Sequence, residues 1–207
     1  AESVKKNISE QLKWDNSVNE RNIRIDVSDG VVDLNGTVNS YSEKISAARD
    51  AFQVRGVRQV RNNLKVEFTG ETELPDDEQI TDNVIRSLKW SSGIKAGDII
   101  VETKERVVTL KGRVHTFWEK HKAEDLADQT TGVVGVVNLI DVKLTKTVTD
   151  LDIENDIKKA YARSLLIDED KIMAKVHSGV VRLTGRVANF LIKKEAINLA
   201  SYTKGVI

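Results

Sequence analysis

Hydrophobic and polar positions along this 207-residue chain follow two periods in turn, and the same succession comes round three times. Apolar residues spaced by four (Val4, Ile8 and Leu12, then Ile80, Val84 and Leu88, then Ile153, Ile157 and Tyr161) line one side of a helix, because four residues turn the chain slightly past one 3.6-residue turn. Each stripe is followed by a run of period two: Ile23, Ile25 and Val27; Ile99, Val101 and Thr103; Ile172, Ala174 and Val176. Such alternation predicts a strand with one buried face. The phrases VVDLNGTV (31–38), VVTLKGRV (107–114) and VVRLTGRV (180–187) then supply a return strand, each with glycine at its sixth place. Asp29-Gly30 and Ser178-Gly179 sit between the two runs, where a tight hairpin needs positive φ; the second copy has Glu105-Arg106, for which a different or more strained turn is expected.

A second helix is expected after each return strand. Ser40 with Glu43 and Thr116 with Glu119 match a capping box, and Asn189 holds the same place in the third copy. Tyr41, Phe117 and Phe190 share the first helical position, where staple-like packing accounts for them. Ala47 and Ala51, Ala123 and Ala127, and Ala196 and Ala200 suit close packing on a sheet, and Gly56, Gly132 and Gly205 read as helix-ending C′ glycines. Asp77 and Asp150 precede the second and third stripes as candidate caps, a place occupied by Ala1 in the first copy. Val57, Val60, Leu64 and Val66, with Val133, Val136, Ile140 and Val142, predict a third strand.

Shifting the chain by 76 places and then by 73 superposes all of these features without a gap inside a copy. The fold class that follows is α+β: three tandem α-β-β-α-β modules at 1–68, 76–144 and 149–207, each a small three-stranded mixed sheet packed against two helices. Linkers fall at about 69–76, which holds the only proline, Pro75, and at about 145–149. The third copy stops at Ile207, before its last strand, and a sheet edge is left unpaired. That module is expected to be completed by residues beyond Ile207, to pair its edge with another copy, or to be the least stable part. Gly36, Gly112 and Gly185 fall among inward-facing apolar residues, which would let a helix backbone come close to the sheet or mark a β-bulge.

Composition narrows the function. No apolar run approaches the roughly 18 residues of a membrane span. Cysteine is absent, which removes disulfides and thiolate metal sites, and 32 basic residues balance 32 acidic ones, so any electrostatic binding is local. His115, His121 and His177 are the only histidines and form no metal-ligand pattern. No nucleophile motif, phosphate loop or dinucleotide fingerprint occurs, and the apolar Gly132-Val-Val-Gly135 lacks the basic stripe of an RNA-binding loop. The expectations are no enzyme, no cofactor, no metal and no nucleic acid.

The ordered phrases DGVVDLNGTV with VRGVRQVRNNLKV, RVVTLKGRV with TTGVVGVVNLIDV, and SGVVRLTGRV with TKGVI resemble the BON domain family, the osmotically inducible and nodulation module of bacteria. The resemblance covers nearly the whole chain. It implies a binding module that contacts phospholipid surfaces and supports the envelope under osmotic stress, in the periplasm or at the envelope, leaving a cytoplasmic location open. Implied partners are an anionic phospholipid membrane surface or an envelope protein, with a homo-oligomer through the third module's edge as a further option.

Candidate contacts follow from register and charge. Trp14 and Trp90 share a place near the end of the first helix, beside Lys13 and Lys89, while the third copy has Arg163 there. Such a ring next to a cation suits a lipid headgroup zone, or else flanks the core. The third copy carries a basic excess, with Lys158, Lys159, Lys193 and Lys194 as candidates for anionic lipid, or as an ordinary solvated face.

Overall fold

The computed structural model describes residues 2–69, 74–143 and 148–207; Ala1 and the linker stretches 70–73 and 144–147 lie outside the described residues. The first module runs α1 (Glu2–Trp14), β1 (Ile23–Ser28), β2 (Val31–Val38), α2 (Tyr41–Gln53), β3 (Gln59–Asn62) and β4 (Lys65–Val66). The second runs α3 (Asp77–Trp90), β5 (Ile99–Lys104), β6 (Val107–Val114), α4 (Phe117–Asp128) and β7 (Gly135–Val142). The third has α5 (Asp150–Ala162), β8 (Ile172–His177), β9 (Val180–Gly185) and α6 (Phe190–Ser201).

In each module the hairpin pairs antiparallel, as in Ile23↔Gly36 through Ser28↔Val31, and in the first two a third strand adds in parallel to the outer side of the return strand. In the first module that third strand is split into β3 and β4, whereas β7 pairs without a break from Val107↔Gly135 to Val114↔Val142. The third module has β8 and β9 alone among the described residues. The predicted stripes supply the buried face: Ile8 and Leu12, Ile80, Val84 and Leu88, and Ile153, Ile157 and Tyr161 are all sealed from solvent against the strands. Tyr161 stands where the other copies have leucine, and its hydroxyl donates to the Ala196 carbonyl at 2.9 Å. Burial pushes its pKa up to about 12.

The repeated glycine has a local cause that periodicity does not show. A single turn of 3₁₀ helix precedes each hairpin, at Glu20–Asn22, Ala96–Asp98 and Glu169–Lys171. Its last carbonyl closes onto the return strand. A Cβ at Gly36, Gly112 or Gly185 would overlap the carbonyl oxygen of Asn22, Asp98 or Lys171 respectively. The register keeps one offset from Leu34↔Asn62 to Thr37↔Lys65 and runs unbroken through Gly112↔Ile140, so no bulge is present, and the approaching backbone belongs to the 3₁₀ turn and not to a long helix. One-turn helices are too short to leave a periodic signal.

Three sequence expectations change in detail. The Glu105-Arg106 turn is of the same kind as the others, since both residues take positive φ (51° and 63°) as Asp29-Gly30 and Ser178-Gly179 do. It is held from outside. Asp77 accepts the amides of Glu105 and Arg106, both at 2.9 Å, and Asp150 does the same for Ser178 (2.8 Å) and Gly179 (2.9 Å). These aspartates therefore clamp the hairpins, while Asp76 and Thr149 cap the helices. Gly56, Gly132 and Gly205 lie beyond the helix caps at Val54, Gln129 and Tyr202, in the positive-φ turn that sends the chain back to the sheet. There the Arg58, Val134 and Ile207 amides reach the carbonyls of Gly30, Arg106 and Gly179.

Capping of the second helices follows the sequence closely. Ser40, Thr116 and Asn189 each accept the amide three residues on. Glu119 completes its box on the Thr116 amide, but Glu43 turns its buried carboxylate to the amides of Asn19 (2.6 Å) and Asn39 (2.7 Å), tying the loop after α1 to α2.

The modules meet through these second helices. Tyr41, at the start of α2, packs against the core of the second module; burial, then the charges of Asp128 and Glu124, raises its pKa. Phe117, at the start of α4, meets His121 edge-on at 4.6 Å, and His121 meets Tyr202, just past α6, at 6.3 Å. Phe190, at the start of α6, stacks on Phe52 near the end of α2 with centroids 4.2 Å apart. Tyr41 thus links the first module to the second, His121 the second to the third, and Phe190 the third to the first. These three contacts, which differ in kind, link the modules in a closed ring. Of the aromatic residues expected to staple their own helices, Tyr41 and Phe190 lie at contacts with another module, whereas Phe117 packs on His121 of its own helix.

Candidate interaction surfaces

Trp14 and Trp90 are the last residues of α1 and α3, and both stand clear of the core: 84% and 85% of their surface is exposed. The core stripe ends two residues earlier, at Leu12 and Leu88, so a ring at the next position but one projects away from the sheet. Neither indole flanks the core. Lys13 and Lys89 are exposed beside them. In the third module Arg163 caps α5, and the loop behind it presents Leu165, which is fully exposed, and Leu166, which is half exposed. Sequence reasoning passed over this pair. Its signal was two consecutive leucines in the polar stretch ARSLLIDED.

The electrostatics near Trp14 depend on protonation. Asp15 is held below the usual carboxylate range by hydrogen bonds from the Ser17 hydroxyl and amide. Asp50 on α2 is pushed up to about 6 by burial and by its neighbour Asp15, and its Oδ2 is buried without a hydrogen-bond partner. Arg49 lies 3.7 Å from Asp15 and offsets part of this crowding.

The basic candidates are not brought together. Lys158 and Lys159 are exposed on α5, with Lys159 paired to Asp156 at 3.1 Å. Lys193 and Lys194 are exposed on α6, where Lys193 lies 5.8 Å from the Phe190 ring and Lys194 lines a hollow of the seam with α2. His115 is bonded at Nδ1 to the Lys143 carbonyl (3.2 Å), and His121 lies 3.8 Å from Glu124. Among the described residues no group of three or more His, Cys, Asp or Glu could hold a metal ion, and no helix is long and apolar enough to cross a membrane.

A second surface is the outer edge of β9. It faces α6 across an apolar groove of about 310 Å³ lined by Ile172, Leu183, Val187 and Ile197, with Gly185 and Lys193 at its rim. In the first two modules the third strand lies beside the return strand at the equivalent place.

Comparison with known proteins agrees with the repeat. A protein of Anaplasma centrale, described as the uncharacterised protein in the gshII 5′ region, is 29% identical over 126 residues, covering 60% of this chain and 83% of that one. The osmotically-inducible protein Y of Escherichia coli is 40% identical over 58 residues, 28% of this chain and 29% of that protein. The C-terminal domain of CdsD, a structural protein of the type III secretion system of Chlamydia trachomatis, is 15% identical with 95% of this chain and 91% of that one covered, at a TM-score of 0.24. The BON domain model matches three segments, 1–67, 76–143 and 149–207, one on each structural module. With three matches that together span almost every residue, the chain belongs to the BON domain family.

Proposed function

We propose that this chain is a non-catalytic surface-binding protein of the bacterial envelope, which associates with anionic phospholipid through the ends of its first helices and contributes to tolerance of osmotic stress. The observation that carries the reading is the pair of indoles, 84% and 85% exposed, at equivalent helix ends beside lysine. Folding leaves such rings in water only at a cost, and an interfacial headgroup zone accepts both the ring and the cation. The exposed Leu165 and Leu166 of the third module stand just past the equivalent helix end. Each lysine near an anionic surface contributes about 1 kcal/mol, and weak contacts repeated along one chain combine as avidity.

The osmotic and periplasmic parts rest on membership of the family and on the similarity to osmotically-inducible protein Y. The test is co-sedimentation with vesicles of phosphatidylcholine alone and mixed with phosphatidylglycerol, at low and high salt. Binding to the anionic vesicles alone, weakened by salt and by Trp14→Ala with Trp90→Ala, is expected. The double variant should melt with the wild type, because neither ring is in a core. Equal sedimentation of the double variant and the wild type would remove the indoles from the contact.

A further inference from the structure

Alignment of the three copies isolates one departure from the common plan, beside the first indole. Asp15, the residue after Trp14, corresponds to Ser91 and Ser164. Asp50 on α2 corresponds to Leu126 and Leu199, which pack against the cores of their own modules. The first module therefore brings two carboxyl groups together where the others have a serine and a leucine. Asp50 is 3% exposed and its Oδ2 is buried without a hydrogen-bond partner, whereas Asp15 accepts from the Ser17 hydroxyl at 2.6 Å and the Ser17 amide at 2.8 Å. Few other charges stand near. Arg49 lies 3.7 Å from Asp15 and donates to the Ser46 hydroxyl at 3.0 Å. The strands beneath α2 contribute Val32, Leu34 and Leu64 to the packing, and α6 brings Lys194 and Glu195 to the hollow that Arg49 lines. One cation is left to serve two acids, and a second negative charge at Asp50 has no donor to receive it.

We propose that Asp50 is a proton switch on the lipid contact of the first module, an inference that rests on the reading of the helix ends as that contact. With the proton on, Asp50 donates to the Asp15 carboxylate and ties the end of α1 to α2. With the proton off, two adjacent carboxylates repel, and a further negative charge stands close behind Trp14 and Lys13. Burial and then Asp15 raise Asp50 to about 6, so the proton is taken up as pH falls through that value. An anionic surface favours the neutral form, and binding tightens on acidification. The second module has no such pair, so its contact through Trp90 does not follow this proton.

The test is co-sedimentation of the 207-residue chain with vesicles of phosphatidylcholine and phosphatidylglycerol at about pH 5 and about pH 7.5, on either side of the Asp50 transition. Binding several-fold tighter at the lower pH is expected, the effect of one charge near an anionic surface. Asp50→Asn keeps the shape and removes the charge, and should bind at both pH values as the wild type does at the lower. Its melting temperature at the upper pH should not fall, which separates loss of the switch from loss of the fold. Trp14→Ala should abolish the pH difference, and Trp90→Ala should weaken binding while keeping it. Asp128, raised to about 7, is untouched in Asp50→Asn, so a pH difference that survives this substitution belongs to another group and would overturn the proposal. Equal binding of the wild type at the two pH values would also overturn it while leaving lipid association standing. Absence of sedimentation at both pH values would overturn the lipid reading and the switch together.

Discussion

Replacing Gly112 with alanine tests the physical origin of the thrice-repeated phrase. The added methyl would come well under 3.0 Å from the Asp98 carbonyl oxygen, a separation that Cβ atoms essentially never show, and the backbone there sits at φ +118°. An L-residue held in that conformation costs about 1–3 kcal/mol, and forcing the 3₁₀ turn away from the sheet costs about 1–3 kcal/mol more, as overpacking does. The sum, on the order of 2–6 kcal/mol, is a large share of the 5–15 kcal/mol typical of a folded domain. For a chain of this length it corresponds to a melting temperature lower by roughly 5–20 °C. The comparison variant is Gly97→Ala, in the 3₁₀ turn that closes onto Gly112, where no atom lies within 4 Å of the added methyl and φ is not positive. Thermal and urea unfolding, followed by circular dichroism, should show Gly97→Ala close to the wild type and Gly112→Ala far below it, with Gly36→Ala behaving alike. Coincident unfolding curves for Gly112→Ala and Gly97→Ala would refute the reasoning, because only Gly112 combines that contact with that angle.

Further outcomes follow from the clamps, the seams and the buried carboxylates. Asp77→Ala removes both carboxylate bonds that hold the strained Glu105-Arg106 turn, and should cost on the order of 1–2 kcal/mol after allowance for partial exposure, with faster exchange of those two amides. Phe190→Ala deletes the stack on Phe52 that closes the ring, so small-angle scattering should report a larger radius of gyration while the circular dichroism spectrum keeps its shape. Asp128, at the seam with Tyr41, is pushed up to about 7 by burial and then by Glu124 and Asp125. In the unfolded chain its pKa returns to the usual value near 3.8, so between these two limits the folded state holds a proton that the unfolded state has lost. Its contribution to stability therefore falls as pH rises through that window. Asp128→Asn should melt several degrees above the wild type at pH values above about 7 and match it near about pH 4; a gain that grew on acidification would contradict this sign.

Much of the molecule was legible from spacing alone. Stripes of period four, runs of period two, turn residues and caps are encoded by neighbours a few positions apart, and three aligned copies identify each element against chance. That is why the module order, the hairpins, the buried stripes and the unpaired edge of β9 could be read before any coordinates. The indoles were legible as a shared register, but their exposure was not. Position 14 lies near the margin of the helical stripe, and only the packed sheet decides on which side of that margin it falls. Leu165 and Leu166 were missed because a single loop breaks the repeat by which everything else was found.

What the sequence alone determined is local: which residues turn, pair and bury within one module, since each of these depends on bond geometry and on side chains a few residues away. What only the tertiary structure decided is where surfaces of separate elements meet. The carbonyl that excludes a side chain at Gly112 arrives from a one-turn helix with no periodic signature, and Asp77 reaches past its own helix to a turn 28 residues on. Phe52 finds Phe190 across most of the chain, and no spacing rule links them. Such contacts depend on the three-dimensional closure of already formed units, where an aromatic ring suited to its own helix proves better buried against a neighbour's.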